Sequence, residues 1–347
     1  MAHKHIVVVG SVNLDFVCSA PRIPSPGETI SGTTFQTFNG GKGANQAVAV
    51  AKLGHPVAMV AKVSNDEFGY RLLKGLRDAG VGVRAVTHCS RVPCGVAIIT
   101  TNSRGDNSIV VVPGANGELR PRDLEDASAI IRSAGIILTQ LEIPFETVEA
   151  LARLAGRSAV PLMLDPAPAR KLPHSLIRAV TFLTPNETET RLLCGASGNG
   201  LSRTLAVQLA RSLQSAGPHN VILKLGDRGA YVLGGDGEGV FVPAFKVKAV
   251  DSTAAGDAFN GGLAVALMQG KDLYEAAVYA SAVAALSVTK MGAQPSMPGG
   301  HEVKKFLRYN ALPPNRKGEL LLGRVKLRRG TPTRVGLPRS DRHKKRQ

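Results

Sequence analysis

The 347-residue chain contains no tryptophan, and its aromatic complement is only ten Phe and five Tyr. A wide aromatic cleft that grips a nucleoside is therefore not expected. The four cysteines, at 18, 89, 94 and 194, lack CxxC spacing and read as reduced thiols. No apolar run approaches the roughly 18 residues of a membrane span. The run Ile6-Val7-Val8-Val9 is too short for a signal peptide and soon meets Asp15. A cytoplasmic protein with no membrane association is expected. No G-x-G-x-x-G follows the first apolar run, which weakens a nicotinamide-enzyme reading, and no Walker loop is present. Internal repeats are also missing.

Charge of one sign is abundant by contrast, with a net of +17. Residues 306–347 hold thirteen Lys or Arg against Glu319 and Asp341, which accounts for eleven of those charges. The basicity belongs mostly to a C-terminal tail, and residues 1–305 are ordinary for a globular domain. The tail has several Pro and Gly and little apolar pattern. It is expected to be largely disordered, apart from a short strand at ELLLGRVKL, and either neutral or nucleic-acid binding.

Within residues 1–305, HIVVVG reads as a buried parallel strand ending in Gly. Asn13 and Asp15 follow at spacing two, on one side of an extended chain. The segments at about 14–40 and 95–112 carry strand patterns outside any helix–strand alternation and are expected to form a small β lid. The glycine cluster of NGGKGANQAVAVAKLG lets a ligand approach the backbone and opens a helix, with Lys42 and Asn45 at its mouth. A flexible turn with a solvated Lys is the plain alternative. From residue 121 onward apolar runs alternate with helical patterns, implying a mainly parallel sheet covered by helices on both faces. Ligands in such sheets sit beyond the carboxyl ends of the strands, where Asn13, Glu142, Asp165, Asn186 and Gly226 fall.

One late stretch, DSTAAGDAFNGG at 251–262, carries the most chemistry. Small residues Ala254, Ala255 and Gly256 open a helix, so free N–H groups and the dipole favour an anion there, above all a phosphate. Asp257 would be repelled by that anion unless it takes a proton from an attacking hydroxyl. Otherwise it is a first-turn acid complementing the dipole. As a group facing the phosphate site it is expected to be exposed.

GGKGANQ and DSTAAGD occur together with GSVNLD, PSPGET, PGAN, QLE, DPAPAR, TPNETE, LGDRG and GAQPS, in that order. This set closely resembles the ribokinase-like carbohydrate kinase family of phosphofructokinase-B type, over about residues 4–305. The resemblance implies an α/β fold with a lid and ATP-dependent phosphorylation of D-ribose at O5, with Asp257 as general base. It implies sugar contacts from Asn13, Asp15, Gly41, Lys42, Asn45 and Glu142. Nucleotide contacts are implied for Asn186, Lys224, Leu225, Gly226, Asp227, Arg228, Gly229 and Ser281, with Ala254, Ala255 and Gly256 as anion hole. Asn186 and Glu189 match an element that helps place Mg²⁺ through water, although either alone would serve as a helix cap. Asp251, Thr253, Ser287, Lys290, Gly292 and Ser296 match a loop that holds K⁺, mostly through carbonyl oxygens. A homodimer through the lid is also implied. Asn13 suits a 2-hydroxyl, which favours ribose, while another furanose, deoxyribose or a nucleoside stays open. A sugar-dependent nucleic-acid-binding protein using the tail is the reading from a different class, and it needs neither Asp257 nor the cation loop.

Overall fold

A computed structural model describes residues 4–310 except 103, 105 and 199. The first apolar run forms β1 (Ile6–Val9), all four residues of which are buried. The chain leaves for β2 (Asn13–Ser19) and β3 (Thr34–Gly40), then returns through α1 (Lys42–Lys52) to β4 (Val57–Ser64). Helix α2 (Glu67–Asp78) leads to β5 (Gly82–Cys89), and β6 (Gly95–Thr101) and β7 (Asn107–Val112) form a hairpin. Helices α3 (Pro121–Asp126) and α4 (Ser128–Arg132) precede β8 (Ile136–Thr139). Helix and strand then alternate through α5 (Phe145–Arg157), β9 (Leu162–Leu164), α6 (His174–Ala179) and β10 (Phe182–Leu183). Two helices, α7 (Glu187–Cys194) and α8 (Arg203–Ser215), lead to β11 (Asn220–Lys224), followed by β12 (Ala230–Leu233) and β13 (Gly239–Val242). Three helices follow: α9 (Ala255–Met268), α10 (Leu273–Ser287) and α11 (Gly300–Tyr309).

The main sheet runs β13-β12-β11-β10-β9-β8-β1-β4-β5, parallel from β11 to β5 with an antiparallel edge of β12 and β13. Ile6 and Val8 belong to one core and Val7 and Val9 to the other, as a strand covered on both faces requires. Helices α1, α9 and α10 line the first core, and α5 and α8 the second. A Cβ on Gly261 would lie 2.7 Å from that of Ala49, so glycine there lets α9 press onto α1. Strand order reverses at β1, whose neighbours β4 and β8 come from opposite directions along the chain. The crevice at such a switch point is where these sheets bind ligands.

A separate four-stranded sheet runs β3-β2-β6-β7, with β2 and β6 parallel and the other pairs antiparallel. Its strand β7 is exposed along its whole length, including Ile109, Val110, Val111 and Val112. The sequence reading passed over β5 and β13, both edge strands with partly exposed residues that blur the apolar run. The boundary expected at 305 falls inside α11, whose Phe306 packs edge-on against Phe245 at 5.1 Å and whose Leu307 also joins the core. The strand expected at ELLLGRVKL lies outside the described residues. Among the described residues no helix is long and apolar enough to cross a membrane.

Candidate active site

Four chain segments converge at the switch point. The first follows β1, where Asn116 receives the backbone N–H of Val12 at 2.8 Å and its Nδ2 donates to Asn13 Oδ1 at 2.7 Å. Asn13 is thereby fixed with its own amide nitrogen left to serve a ligand acceptor. Asp15 lies two residues on in β2, and its carboxylate fills the space a side chain on Gly40 would need. The second segment is the mouth of α1. Gly41 caps it at φ +87°, and a Cβ there would come within 2.7 Å of the Asn13 nitrogen, so only glycine fits. The third follows β8: Glu142 Oε2 accepts from Ser11 Oγ at 2.6 Å and from the Lys42 backbone N–H at 3.2 Å.

Helix α9 supplies the fourth. Ala254 caps it in the left-handed region at φ +60°, without a side-chain cap. A non-glycine residue there costs about 1–2 kcal/mol; the Ala255 N–H reaches the Ser252 carbonyl at 3.2 Å, while those of Ala254 and Gly256 are left for an outside acceptor. Contrary to the sequence reading, Asp257 is not exposed but only 4% accessible. Its Oδ2 accepts from Asn45 Nδ2 at 3.0 Å and its Oδ1 from Gln46 Nε2 at 3.1 Å. The helices α1 and α9 pack closely enough to bury it, an approach no local pattern reveals. Burial lifts its pKa to about 6, with Asp165 adding to the rise while Lys42, Asn45 and Gln46 oppose it. Asp15 rises to about 7, from burial first and then from the charges of Glu142 and Asp257. Burial draws the Lys42 ammonium down, but Asp257, Asp165, Glu142 and Glu189 outweigh it and hold its pKa above the ordinary value. The Asn45 Oδ1 is buried without a partner, a spare acceptor beside Asp257 for a ligand hydroxyl.

Most of the residues expected to contact a nucleotide lie on the β9–β11 side. Lys224 pairs with buried Asp165 at 2.8 Å, and its ammonium sits 3.4 Å from where a Gly256 Cβ would be, beside the opening of α9. Asn186 and Lys224 form an isolated parallel bridge. Leu225, Gly226, Asp227, Arg228 and Gly229 make the turn between β11 and β12. The Arg228 side chain is engaged with Glu187 at 2.6 Å and with the Leu201 carbonyl. Ser281 is buried in α10.

Asn186 and Glu189 form a reciprocal capping box on α7: Asn186 Oδ1 accepts from the Glu189 N–H at 2.9 Å, and the Glu189 carboxylate accepts from the Asn186 N–H and Nδ2 at 2.7 and 2.8 Å. Both carboxylate oxygens are engaged, which fits a Mg²⁺ ion reached through water better than one ligated directly. Burial and Asp165 raise the Glu189 pKa, while Lys224, the Asn186 N–H and Lys42 oppose the rise. Among the described residues no three His, Cys, Asp or Glu side chains gather as a metal cage.

In the loop expected to hold a cation, Asp251 ties two stretches of chain, its Oδ1 accepting from the Thr253 N–H at 2.9 Å and its Oδ2 from the Gly292 N–H at 2.8 Å. The N–H groups of Val250 and Asp251 both reach the Val288 carbonyl. Ser296 and Ser287 donate to the Ala293 and Ala284 carbonyls, and Lys290 turns to Glu302 at 2.8 Å. The Lys290 ammonium is thus directed to a carboxylate, leaving its carbonyl as the group to offer a cation.

Sequence reasoning gave no site role to Ser11, Gln46, Asn116 or Gln140, and placed Asp165 at a ligand-binding strand end without giving it a partner. Gln46 was overlooked because adjacent helix positions normally diverge, yet Asn45 and Gln46 each take one oxygen of Asp257. The available signal was a Gln leading directly into the apolar run Ala47-Val48-Ala49-Val50-Ala51.

The model of the pfkB family of carbohydrate kinases matches residues 3–299. The chain is 40% identical over 304 residues to a ribokinase of Bacillus subtilis, covering 88% of this chain and 99% of that protein. It is 38% identical over 309 residues to a deoxyribokinase of Salmonella typhi, again covering 88% and 99%. The solved Arabidopsis thaliana ribokinase complexed with ribose and ATP superposes with a TM-score of 0.81 at 35% identity, covering 87% of this chain and 98% of that one.

Proposed function

This chain belongs to the pfkB family of carbohydrate kinases, and from that membership we propose how its residues divide the work of phosphorylating ribose. The chain is an ATP-dependent kinase that converts D-ribose to ribose 5-phosphate. The observation that carries the division of work is the buried carboxylate of Asp257, set in the first turn of a helix with no side-chain cap. One group there can take a proton while the adjacent N–H groups receive charge on a phosphate. Asn13, Asp15, Gly41, Lys42, Asn45 and Glu142 bracket the sugar and hold O5 against Asp257 for in-line attack. Asp257 accepts the hydroxyl proton. The N–H groups at 254–256 and the Lys224 ammonium offset the charge that develops on the transferring group. Residues 225–229, Asn186 and Ser281 hold the nucleotide.

Magnesium, when bound with ATP, neutralises phosphate charge that the surplus of carboxylates at this site would otherwise oppose. Asn186 and Glu189 would hold it through water. Potassium fits the loop of Asp251, Thr253, Ser287, Lys290, Gly292 and Ser296, where it would keep the N–H groups of 254–256 in place. The exposed apolar β7 suits coverage by the lid of a second copy, giving a homodimer. Four free thiols fit a reducing cytoplasm.

Turnover with ribose, 2-deoxyribose, other furanoses and adenosine at equal concentration tests this reading. Asn13, held by Asn116, is built to meet a 2-hydroxyl, and a sugar lacking that group leaves it unpaired. Ribose should exceed 2-deoxyribose by at least tenfold in kcat/KM; the reverse order would assign the chain to the deoxyribokinase branch.

A further inference from the structure

Behind the base lies a chain of buried amides to which the division of work above assigns no role. Gln140 Nε2 donates to Gln46 Oε1 at 2.7 Å. Gln46 Nε2 donates in turn to Asp257 Oδ1 at 3.1 Å and to Asp165 Oδ2 at 3.2 Å. Asp165 Oδ1 is held by Lys224 Nζ at 2.8 Å. Gln46 and Gln140 are both fully buried. The direction of this chain is forced. Two carboxylates can only accept, so Gln46 must show them its NH₂ and turn its oxygen away. That oxygen then needs a donor, which Gln140 supplies.

We propose that Gln46 is a positioning residue for phosphoryl transfer: it aims and keeps charged the carboxylate of Asp257, in an orientation imposed by Gln140. Asn45 alone fixes one carboxylate oxygen and leaves rotation about the Cβ–Cγ bond open. The second bond to Gln46 closes that freedom and locks the base in register with the Asp165–Lys224 pair beside the anion hole. The other charged groups facing Asp257 are Lys42 from α1, which favours its charged form, and Asp165 and Asp15, which oppose it. The only charged residue of α10, the helix packed on α9, is Glu275 in its first turn. With two carboxylates opposing and one ammonium favouring, a lost N–H donor is felt directly as a harder ionisation.

The inference rests on Asp257 being the base, and the full-length enzyme tests it through Gln46→Met and Gln140→Met, which keep volume and remove the amides. The readout is kcat/KM for ribose from pH 5 to 9 at saturating Mg²⁺–ATP. A hydrogen bond to a charged group is worth about one to two pH units, and Gln46 shares its donor between two carboxylates. The acid limb should therefore move up by about one unit in Gln46→Met and by less, in the same direction, in Gln140→Met. Turnover on the plateau should fall roughly tenfold, with KM for ribose within about threefold. A folded variant whose acid limb stays in place would overturn the proposal, because a packing role moves stability and not ionisation. If Gln46→Met does not fold, Gln140→Met decides; if neither folds, the pair is a folding determinant and the proposal fails. Near-normal turnover in Asp257→Asn would instead sink the assignment of the base itself.

Discussion

Asp257→Asn keeps the shape of the side chain and removes its capacity to accept a proton. A missing general base costs about 10²–10⁴-fold in turnover. Stability responds differently, and its pH dependence can be worked out. The shift from 3.8 to about 6 means that the surroundings, burial foremost, cost the charged form a net of about 3 kcal/mol at neutral pH. Asparagine escapes that cost, but its NH₂ must face either Asn45 Nδ2 or Gln46 Nε2, and a donor opposed by a donor costs about 1–3 kcal/mol. At pH 8 the two effects nearly cancel. A pKa raised on folding gives stability that is complete below 3.8 and lost as pH rises through 6, so at pH 4 wild type has regained what the variant never lost. The variant should therefore be the less stable protein at pH 4, by about 1–3 kcal/mol, and close to equal at pH 8. Urea unfolding at both pH values, with coupled-assay turnover and ribose binding, gives all the quantities. A pH-independent stability difference would refute the burial account, and near-normal turnover would refute the base.

Other perturbations probe the surroundings. Gly41→Ala must place a Cβ at φ +87° within 2.7 Å of a backbone nitrogen, so ribose binding should weaken more than tenfold; unchanged KM would show that the loop can shift. Replacing K⁺ by Na⁺ should lower turnover severalfold in wild type, and Asp251→Ala should erase the difference; equal wild-type rates would mean the Asp251 bonds order the loop unaided. Ile109→Asp with Val111→Asp should yield a monomer in sedimentation, and an unchanged dimer would place the interface elsewhere. Cutting after residue 310 should leave turnover within about twofold, whereas cutting after 305 removes Phe306 and Leu307 from the core and should lower the melting temperature; equal melting temperatures would show that α11 adds nothing. Salt-sensitive DNA or RNA binding lost with the tail would support a nucleic-acid role for it.

Local chemistry made part of this site legible. The Ala-Ala-Gly opening of α9 and the glycine cluster before α1 announce themselves because uncapped helix ends and positive-φ turns restrict residue type. The alternation of apolar runs with helical patterns likewise gives a parallel sheet and its switch point. What stayed hidden depends on contacts distant in the chain. Nothing near Asp257 shows that Asn45 and Gln46, some 211 residues earlier, will roof it over. Gln140 takes its meaning from Gln46, and Asp165 from Gln46 and Lys224, all distant in the chain; α11 was lost because its basic surface blends into the tail beyond it.

The placement of Asp257 resolves a conflict between two demands on one helix end. The dipole and the free N–H groups that attract phosphate also lower the pKa of any carboxylate in the first turn, which would make it a poor base. Lys42, Asn45 and Gln46 push the same way, yet desolvation wins and the pKa rises to about 6. An exposed aspartate here would stay at or below its ordinary value of 3.8, charged but too weakly basic; one buried without its two amides would be pushed higher still and be harder to ionise. Close packing of α1 on α9 sets the first limit and the Asn45–Gln46 pair the second. As the proposed base, Asp257 would work near neutral pH because the packing of two helices and two adjacent amides are balanced against each other, a balance that neither glycine-rich motif could produce alone.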